Sequence, residues 1–367
     1  MFNQFVMDPR IERLADTLVN YSTKVKKGDR VKIYVAGVQG EQLSLAVYKK
    51  ALQAGAIKVS LDISPEGMSP IFYKYANDEQ LRHFSEIEMK SIQDTDVFIG
   101  ISAETNPKRL MEADSKKMAI RAKVNKPIFE YRTENTRWII TRYPTTGYAE
   151  AAGMCLEDFT DFYFSSVSQN WSEQDRIQER LKQYLDKVKE VRLVAEGTDL
   201  TLRKDDRPIV KCVGERNMPD GEIYFAPLET SANGKVAFSF PLIHLGNEMD
   251  GVELKFENGV VVDAKARLNQ QFLHDILETD EGSKKLGEFG IGTNFGIERF
   301  VKTILFDEKI GGTVHLALGS SAFKTASKGL NESGIHMDML VDLRKTGEIY
   351  TDGKLFQKNG KFVNSFE

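Results

Sequence analysis

Histidine and cysteine, the side chains that carry acid–base and metal chemistry most selectively, are sparse in this sequence. Five histidines occur among 367 residues. His336 and Asp338 stand at i and i+2 of the alternating run IHMDMLVDL (335–343). A strand puts such residues on one face, so an imidazole and a carboxylate emerge side by side, with Met337 opposite. That pair suits a divalent cation, to which it offers a nitrogen and an anionic oxygen, or else forms a plain His–Asp hydrogen bond. His315 projects from a second strand-like run, TVHLALG (313–319). The other three histidines are isolated: His83 in a charged helix, His244 beside a Pro turn, His274 on a helix with Phe272 and Leu277. They read as surface or packing residues.

Three glutamates sit at the ends of elements beside glycine. Glu222 follows the turn Met218-Pro219-Asp220-Gly221 and opens an apolar strand. Glu288 closes a short helix expected over 281–288, just before GIGTN. Glu308 ends the helical run VKTILFDE before Gly311-Gly312. Sites are commonly assembled in such loops on a rigid scaffold, although a lone glutamate is ordinarily a solvated charge.

The elements that must carry these residues change character along the chain. Ile11, Leu14, Ala15, Leu18 and Val19 repeat at helical spacing. Short β-branched runs follow at 31–37, 57–63, 96–102 and 137–144, separated by helical stretches at about 43–52, 77–92 and 113–124. Strands alternating with helices predict an α/β amino-terminal domain with a largely parallel sheet, placed at 1–190. Gly37 and Gly40 follow its first strand. They lack the third glycine of a dinucleotide-binding loop and read as a turn, with a nucleotide-dependent enzyme as the competing view. A polar helix between Trp171 and Val191, with Ser172 and Asp175 as a capping box, leads to the boundary. From 191 to 367 the period becomes 2. Strands expected at 191–203, 222–227, 234–242, 251–266, 313–319, 335–343 and 347–362, with helices near 269–278, 281–288 and 295–306, predict an α+β domain.

Composition narrows the functional classes. Lys plus Arg number 50 and Asp plus Glu 54, interspersed, which leaves no basic footprint for nucleic acid. Two cysteines, 155 and 212, exclude a disulfide-built scaffold. The first residues carry Asp8, Arg10, Glu12 and Arg13 where a signal peptide needs an apolar stretch, and no apolar run approaches a membrane span. The expectation is a soluble, cytoplasmic protein without membrane or nucleic-acid partners.

Taken in order, DPRIERLADTLVNYS with KKGDRVKIY, EGTDLTLR, NMPDGEIYFAP, LETDEGSKKLGE, ILFDEKIGGTVHLALG and GLNESGIHMDML resemble the aminopeptidase T-like (thermophilic) metallo-aminopeptidases over nearly the whole chain. The resemblance implies a metal-dependent aminopeptidase that cleaves peptide substrates with two divalent ions (Zn, Co or Mn) in the carboxy-terminal domain, and a homodimer. It places the ligands on Glu222, Glu288, Glu308, His315, His336 and Asp338, with Glu288 also as the catalytic base. No cysteine belongs to that set. Four carboxylates balance the charge of two divalent ions. One departure stands out. The family pattern His-x-Ala-x-Gly-x-x-Tyr ends here on Ala322, beside Phe323, and neither side chain donates a hydrogen bond. Either Ser320, Ser321 or Tyr224 replaces that phenol, or the chain binds metal and peptide with weak or lost hydrolysis.

Overall fold

The computed structural model describes residues 8–363 except Leu245 and Phe323, so the residue beside Ala322 lies outside the described set. By internal contacts the chain forms two compact units. The first runs to Ser168 and takes back Gly214–Met218; the second comprises Gln169–Val213 and Pro219 onward.

In the first unit, β1 (Arg30–Ala36), β2 (Lys58–Ser64), β3 (Val97–Ser102) and β4 (Arg137–Arg142) form a parallel sheet in the order β2-β1-β3-β4. The pair Asn217–Met218 extends it beyond β4. The first five residues of β3 are buried, as expected of a central strand covered on both faces. Helix α1 (Pro9–Asp16) starts where Asp8 accepts the Arg10 amide and Pro9 supplies a pre-set φ, and it buries Ile11, Leu14 and Ala15. The glycine turn after β1 has a packing reason. Gly37 has φ 95°, and a Cβ there would run into the Ala103 carbonyl; Gly40 lies against Val35 and Ala103. The single helix expected over 77–92 is two, Asp78–Arg82 and Glu86–Gln93, with His83 at the break.

In the second unit, helix α2 (Trp171–Leu185) is capped by Asn170, which accepts the Glu173 amide, rather than by the expected Ser172–Asp175 box. It buries Leu181 and Leu185 in that unit's core. One antiparallel sheet has eight strands and includes the hairpin Glu253–Glu257/Val260–Lys265. The hairpin turns at Asn258-Gly259, both at positive φ (49° and 84°), as the sequence pair demands. A two-stranded ribbon pairs Leu242–His244 with Asn247–Met249. A further sheet has five strands: β5 (Val210–Cys212), β6 (Glu222–Phe225), β7 (Leu286–Gly292), β8 (Thr313–Gly319) and β9 (His336–Asp342), in the order β9-β8-β7-β6-β5, antiparallel throughout.

Two expected helices are corrected here. Residues 281–284 are a turn and β7 begins at Leu286, so Glu288 rides a strand. Phe289 and Ile291 alternate with Glu288 and Gly290, and the irregularity at Gly287 lets Leu286 join the core side; the gain from burying these three outweighs the helix-forming lysines. The run 295–306 is irregular except for α3 (Ile304–Asp307), where the Asp307 carboxylate accepts the Val301 and Thr303 amides.

The five-stranded sheet has two unlike faces. Ile223, Phe225, Phe289, Ile291, Val314, Leu316, Leu318, Met337, Met339 and Val341 fill one, and they share a core with Leu193, Leu200, Leu202, Leu254 and Phe256 of the larger sheet. Burying that face fixes the register, since a one-residue slip would drive polar residues into the core.

Candidate metal centre

Directly opposed residues of a sheet point the same way, and the register lines up the polar residues on the second face. Glu222 opposes Gly292, Tyr224 and His315 oppose Gly290, Glu288 and Asp338 oppose Ala317, and His336 opposes Gly319. Each of these polar side chains thus faces glycine or alanine on one neighbouring strand. Gly290 is the tightest case: a Cβ there would overlap the His315 ring, with Cδ2 at 2.9 Å. The ring lies across the Gly290 backbone. A register shift between Leu286 and Glu288 bulges β7 at Gly287, the kind of irregularity that re-aims a side chain.

Three of the six predicted ligands converge closely. His315 Nε2 lies 3.1 Å from Glu222 Oε2 and 3.1 Å from Glu288 Oε1, and all three residues are buried. His336 Nε2 lies 3.2 Å from Asp338 Oδ2, while its Nδ1 donates to the Ser320 carbonyl at 2.7 Å. Since a carbonyl only accepts, that bond puts the proton of a neutral ring on Nδ1 and leaves Nε2 with its lone pair toward the carboxylates. Glu308 caps α3 and joins the group through Lys309. The Lys309 ammonium, fully buried, contacts Glu308 Oε1 and lies 3.1 Å from Glu222 Oε1.

The electrostatics follow from these neighbours. Burial pushes Glu222 up, but Lys309 and His315 prevail and hold it down to about 2. Asp338, raised by burial, is held at about 2 by His336. Burial and the charges of Glu222 and Asp338 raise Glu288. Burial carries Glu308 up to about 8, over the opposing charge of Lys309 and with help from Glu222. Burial opposes the charging of His336, yet Asp338 pushes it up to about 10. Groups of one chemical type are thus spread far apart, as functional sites require.

The donor set fits a divalent cation. Among the described residues Glu222 Oε2, Glu288 Oε2 and Asp338 Oδ1 are buried oxygens with no hydrogen-bond partner, and a buried carboxylate oxygen without a donor is costly unless a cation meets it. Glu222, Glu288 and His315 can each present one ligand atom within 4.8 Å of the others.

The structure adds residues that the sequence reading left out. Cys212 on β5 brings its thiol within 4.8 Å of ligand atoms on Asp220 and Glu222, so cysteine does border the site. Burial keeps that thiol protonated by raising its pKa well above the usual value. Lys309 gave no sequence signal, because a lysine next to a glutamate reads as a solvated pair. Gly290 lay inside the noted GIGTN stretch, but only the cross-strand pairing explains it. Tyr224, which the sequence already offered as a replacement donor, lies two residues after Glu222 on the same face, and its buried hydroxyl has no hydrogen-bond partner among the described residues.

A cluster of buried carboxylates and imidazoles on one face of a sheet is the donor set of a metal-dependent enzyme. Comparison with known proteins specifies the class. Residues 7–362 match the family described as thermophilic metalloprotease (M29), and the chain belongs to it. Aminopeptidase AmpS of Bacillus subtilis (strain 168) is 27% identical over 94% of this chain and 96% of its own length. Aminopeptidase T of Thermus thermophilus is 24% identical over 94% and 95%. The solved structure of wild-type AmpT from Thermus thermophilus superimposes with a TM-score of 0.85 at 21% identity, covering 97% of this chain and 99% of that one, so the fold is shared. Among the described residues no helix is long and apolar enough to cross a membrane.

Proposed function

We propose that this protein is a metal-dependent aminopeptidase that releases amino-terminal residues from peptides, with two divalent ions (Zn, Co or Mn) held by Glu222, Glu288, Glu308, His315, His336 and Asp338. The observation that carries this reading is the convergence of Glu222, Glu288 and His315, with carboxylate oxygens left unsatisfied, in a member of a metalloprotease family. Bound there, the ions would polarise the scissile carbonyl and lower the pKa of water toward neutrality.

The chain's own residues do the rest. Glu288 is the general base: it takes the proton from the attacking water and returns it to the leaving amine. Burial, with the charges of Glu222 and Asp338, raises the proton affinity of Glu288 above that of an ordinary carboxylate, which suits a base. His315 orients Glu222 and Glu288 from the floor of the site, and the Ser320 carbonyl fixes the His336 ring. A carboxylate of the cluster holds the substrate's free α-ammonium, which limits cleavage to the amino terminus. The Tyr224 hydroxyl supplies the hydrogen bond to the developing oxyanion that Ala322 cannot. Its free donor beside Glu222 and Glu288 supports that role. The same reading carries a homodimer, a cytoplasmic location and a catalytic domain that begins near residue 190.

Chelated protein tested on aminoacyl amides and short peptides, with Mn²⁺, Co²⁺ or Zn²⁺ restored, decides the matter. Metal-restored release of amino-terminal residues is expected, and Glu288→Gln should lower kcat by about 10²–10⁴-fold. No metal-restored cleavage of any amide or peptide refutes hydrolysis. Ala322 favours one second reading, a member that binds metal and peptide but hydrolyses weakly. Bound metal without turnover, or a large gain in turnover for Ala322→Tyr, would select it.

A further inference from the structure

Lys309 is the residue of this centre that a metal-ligand set does not explain. Its side chain is fully buried, and its ammonium bridges Glu222 Oε1, at 3.1 Å, and Glu308 Oε1. The backbone holds it there. The Lys309 amide donates to the Phe306 carbonyl, and the Lys309 carbonyl accepts the Asn294 amide at 3.0 Å. Glu222 therefore divides its two oxygens between two places for a cation. Oε2 faces His315 and Glu288, while Oε1 already faces a lysine. Glu308 is turned to that same lysine.

An ion using Glu308 and Glu222 Oε1 must approach those oxygens to about 2.0–2.2 Å. These are the atoms that Lys309 contacts, and two cations sharing them in a buried site repel strongly. On the Glu222 Oε2–Glu288–His315 side the neighbour is an imidazole, which becomes a ligand itself once it gives up its proton.

We propose that Lys309 is a resident cation that fills the Glu222–Glu308 side of the centre, so that the two divalent ions bind unequally, the second at least tenfold more weakly than the first. The proposal rests on the metal-centre reading above. The first ion enters against Glu222, Glu288 and His315. The second is admitted only as the ammonium withdraws, which makes it the exchangeable ion.

Titration of the chelated full-length chain with Mn²⁺, followed by calorimetry and by elemental analysis after dialysis, tests this. The wild type should hold one ion tightly and a second at least tenfold more weakly. Lys309→Met should bring the two affinities within about threefold, and Lys309→Arg, which keeps the charge, should preserve the wild-type inequality. Two ions bound equally tightly by the wild type, or a second ion as weak in Lys309→Met as in the wild type, overturns the proposal and leaves the metal-centre reading standing. Absence of any bound ion overturns both. Should Lys309→Met fail to fold, Glu308→Gln carries the test. Loss of the weak ion alone supports the proposal, and loss of the tight one overturns it.

Discussion

Gly290→Ala is a one-carbon change that separates the positioning of His315 from the chemistry of the ligands. Gly290 lies within β7, paired with His315 on one side and Tyr224 on the other. A Cβ at this place overlaps three atoms of the imidazole, so the ring must retreat by about 1 Å or more to recover ordinary contact. The retreat breaks both 3.1 Å approaches of Nε2, to Glu222 and to Glu288. Overpacking of this kind costs about 1–3 kcal/mol, which a protein of ordinary stability survives. A displacement of about 1 Å in a catalytic group costs about 10²-fold in kcat/KM. The expected variant is therefore folded by circular dichroism, depleted in bound metal after dialysis, and about 10²-fold slower on an aminoacyl amide. Gly67→Ala serves as the control, since a Cβ there meets open space. The sharper test is a double-mutant cycle with His315→Ala: once the imidazole is gone the added methyl has nothing to displace, so the two changes should be far from additive. Wild-type metal content and turnover in Gly290→Ala, or full additivity in the cycle, would refute the argument that this glycine positions the histidine.

Three further outcomes follow from the same geometry. Tyr224→Phe removes a buried hydroxyl that has no hydrogen-bond partner among the described residues, so kcat should fall by about 10²-fold while the melting temperature stays unchanged; an unchanged kcat removes Tyr224 from the mechanism. Ion binding needs Glu308 as carboxylate and His336 with a free lone pair, and in the metal-free protein these groups keep their protons up to about pH 8 and about pH 10. His315, which Glu222 and Glu288 hold protonated against the cost of burial, must give up its proton as well. Each proton must leave on binding, so metal affinity should rise with pH between 6 and 8, and calorimetry in buffers of different ionisation enthalpy should count more than two protons released at pH 7; a pH-independent affinity contradicts the assignment. Metal at about 100 times its Kd should stabilise the second unit by about 2.7 kcal/mol, raising its unfolding temperature by several degrees. A shift in a transition belonging to the first unit instead would place the metal elsewhere.

Much of this was legible in the sequence, for reasons that can be named. Period-2 alternation over 335–343 put His336 and Asp338 on one face, and the same logic placed His315 within TVHLALG, because side-chain direction along a strand is a local property. The pairing of short apolar runs with helices likewise announced the parallel sheet of the first unit. Glu288 shows where local reading failed. Lysines and glutamates around it favour a helix, yet the chain is a strand, because Leu286, Phe289 and Ile291 gain more by entering the core than the segment loses in propensity.

What only the tertiary structure decided is which strands lie side by side, and in what register. Glu222, Glu288, His315 and Asp338 are far apart in sequence, and they meet because β6, β7, β8 and β9 are neighbours aligned by a buried apolar face. The glycines and alanine opposite them acquire their purpose only across strands, as Gly290 does beneath His315. Lys309 is the clearest case. By residue type it is one of many lysines next to an acid, and by burial it is a cation locked between two carboxylates. Residue type and spacing determine what chemistry a chain can offer. Burial and long-range pairing determine which charges lose their water and must answer one another.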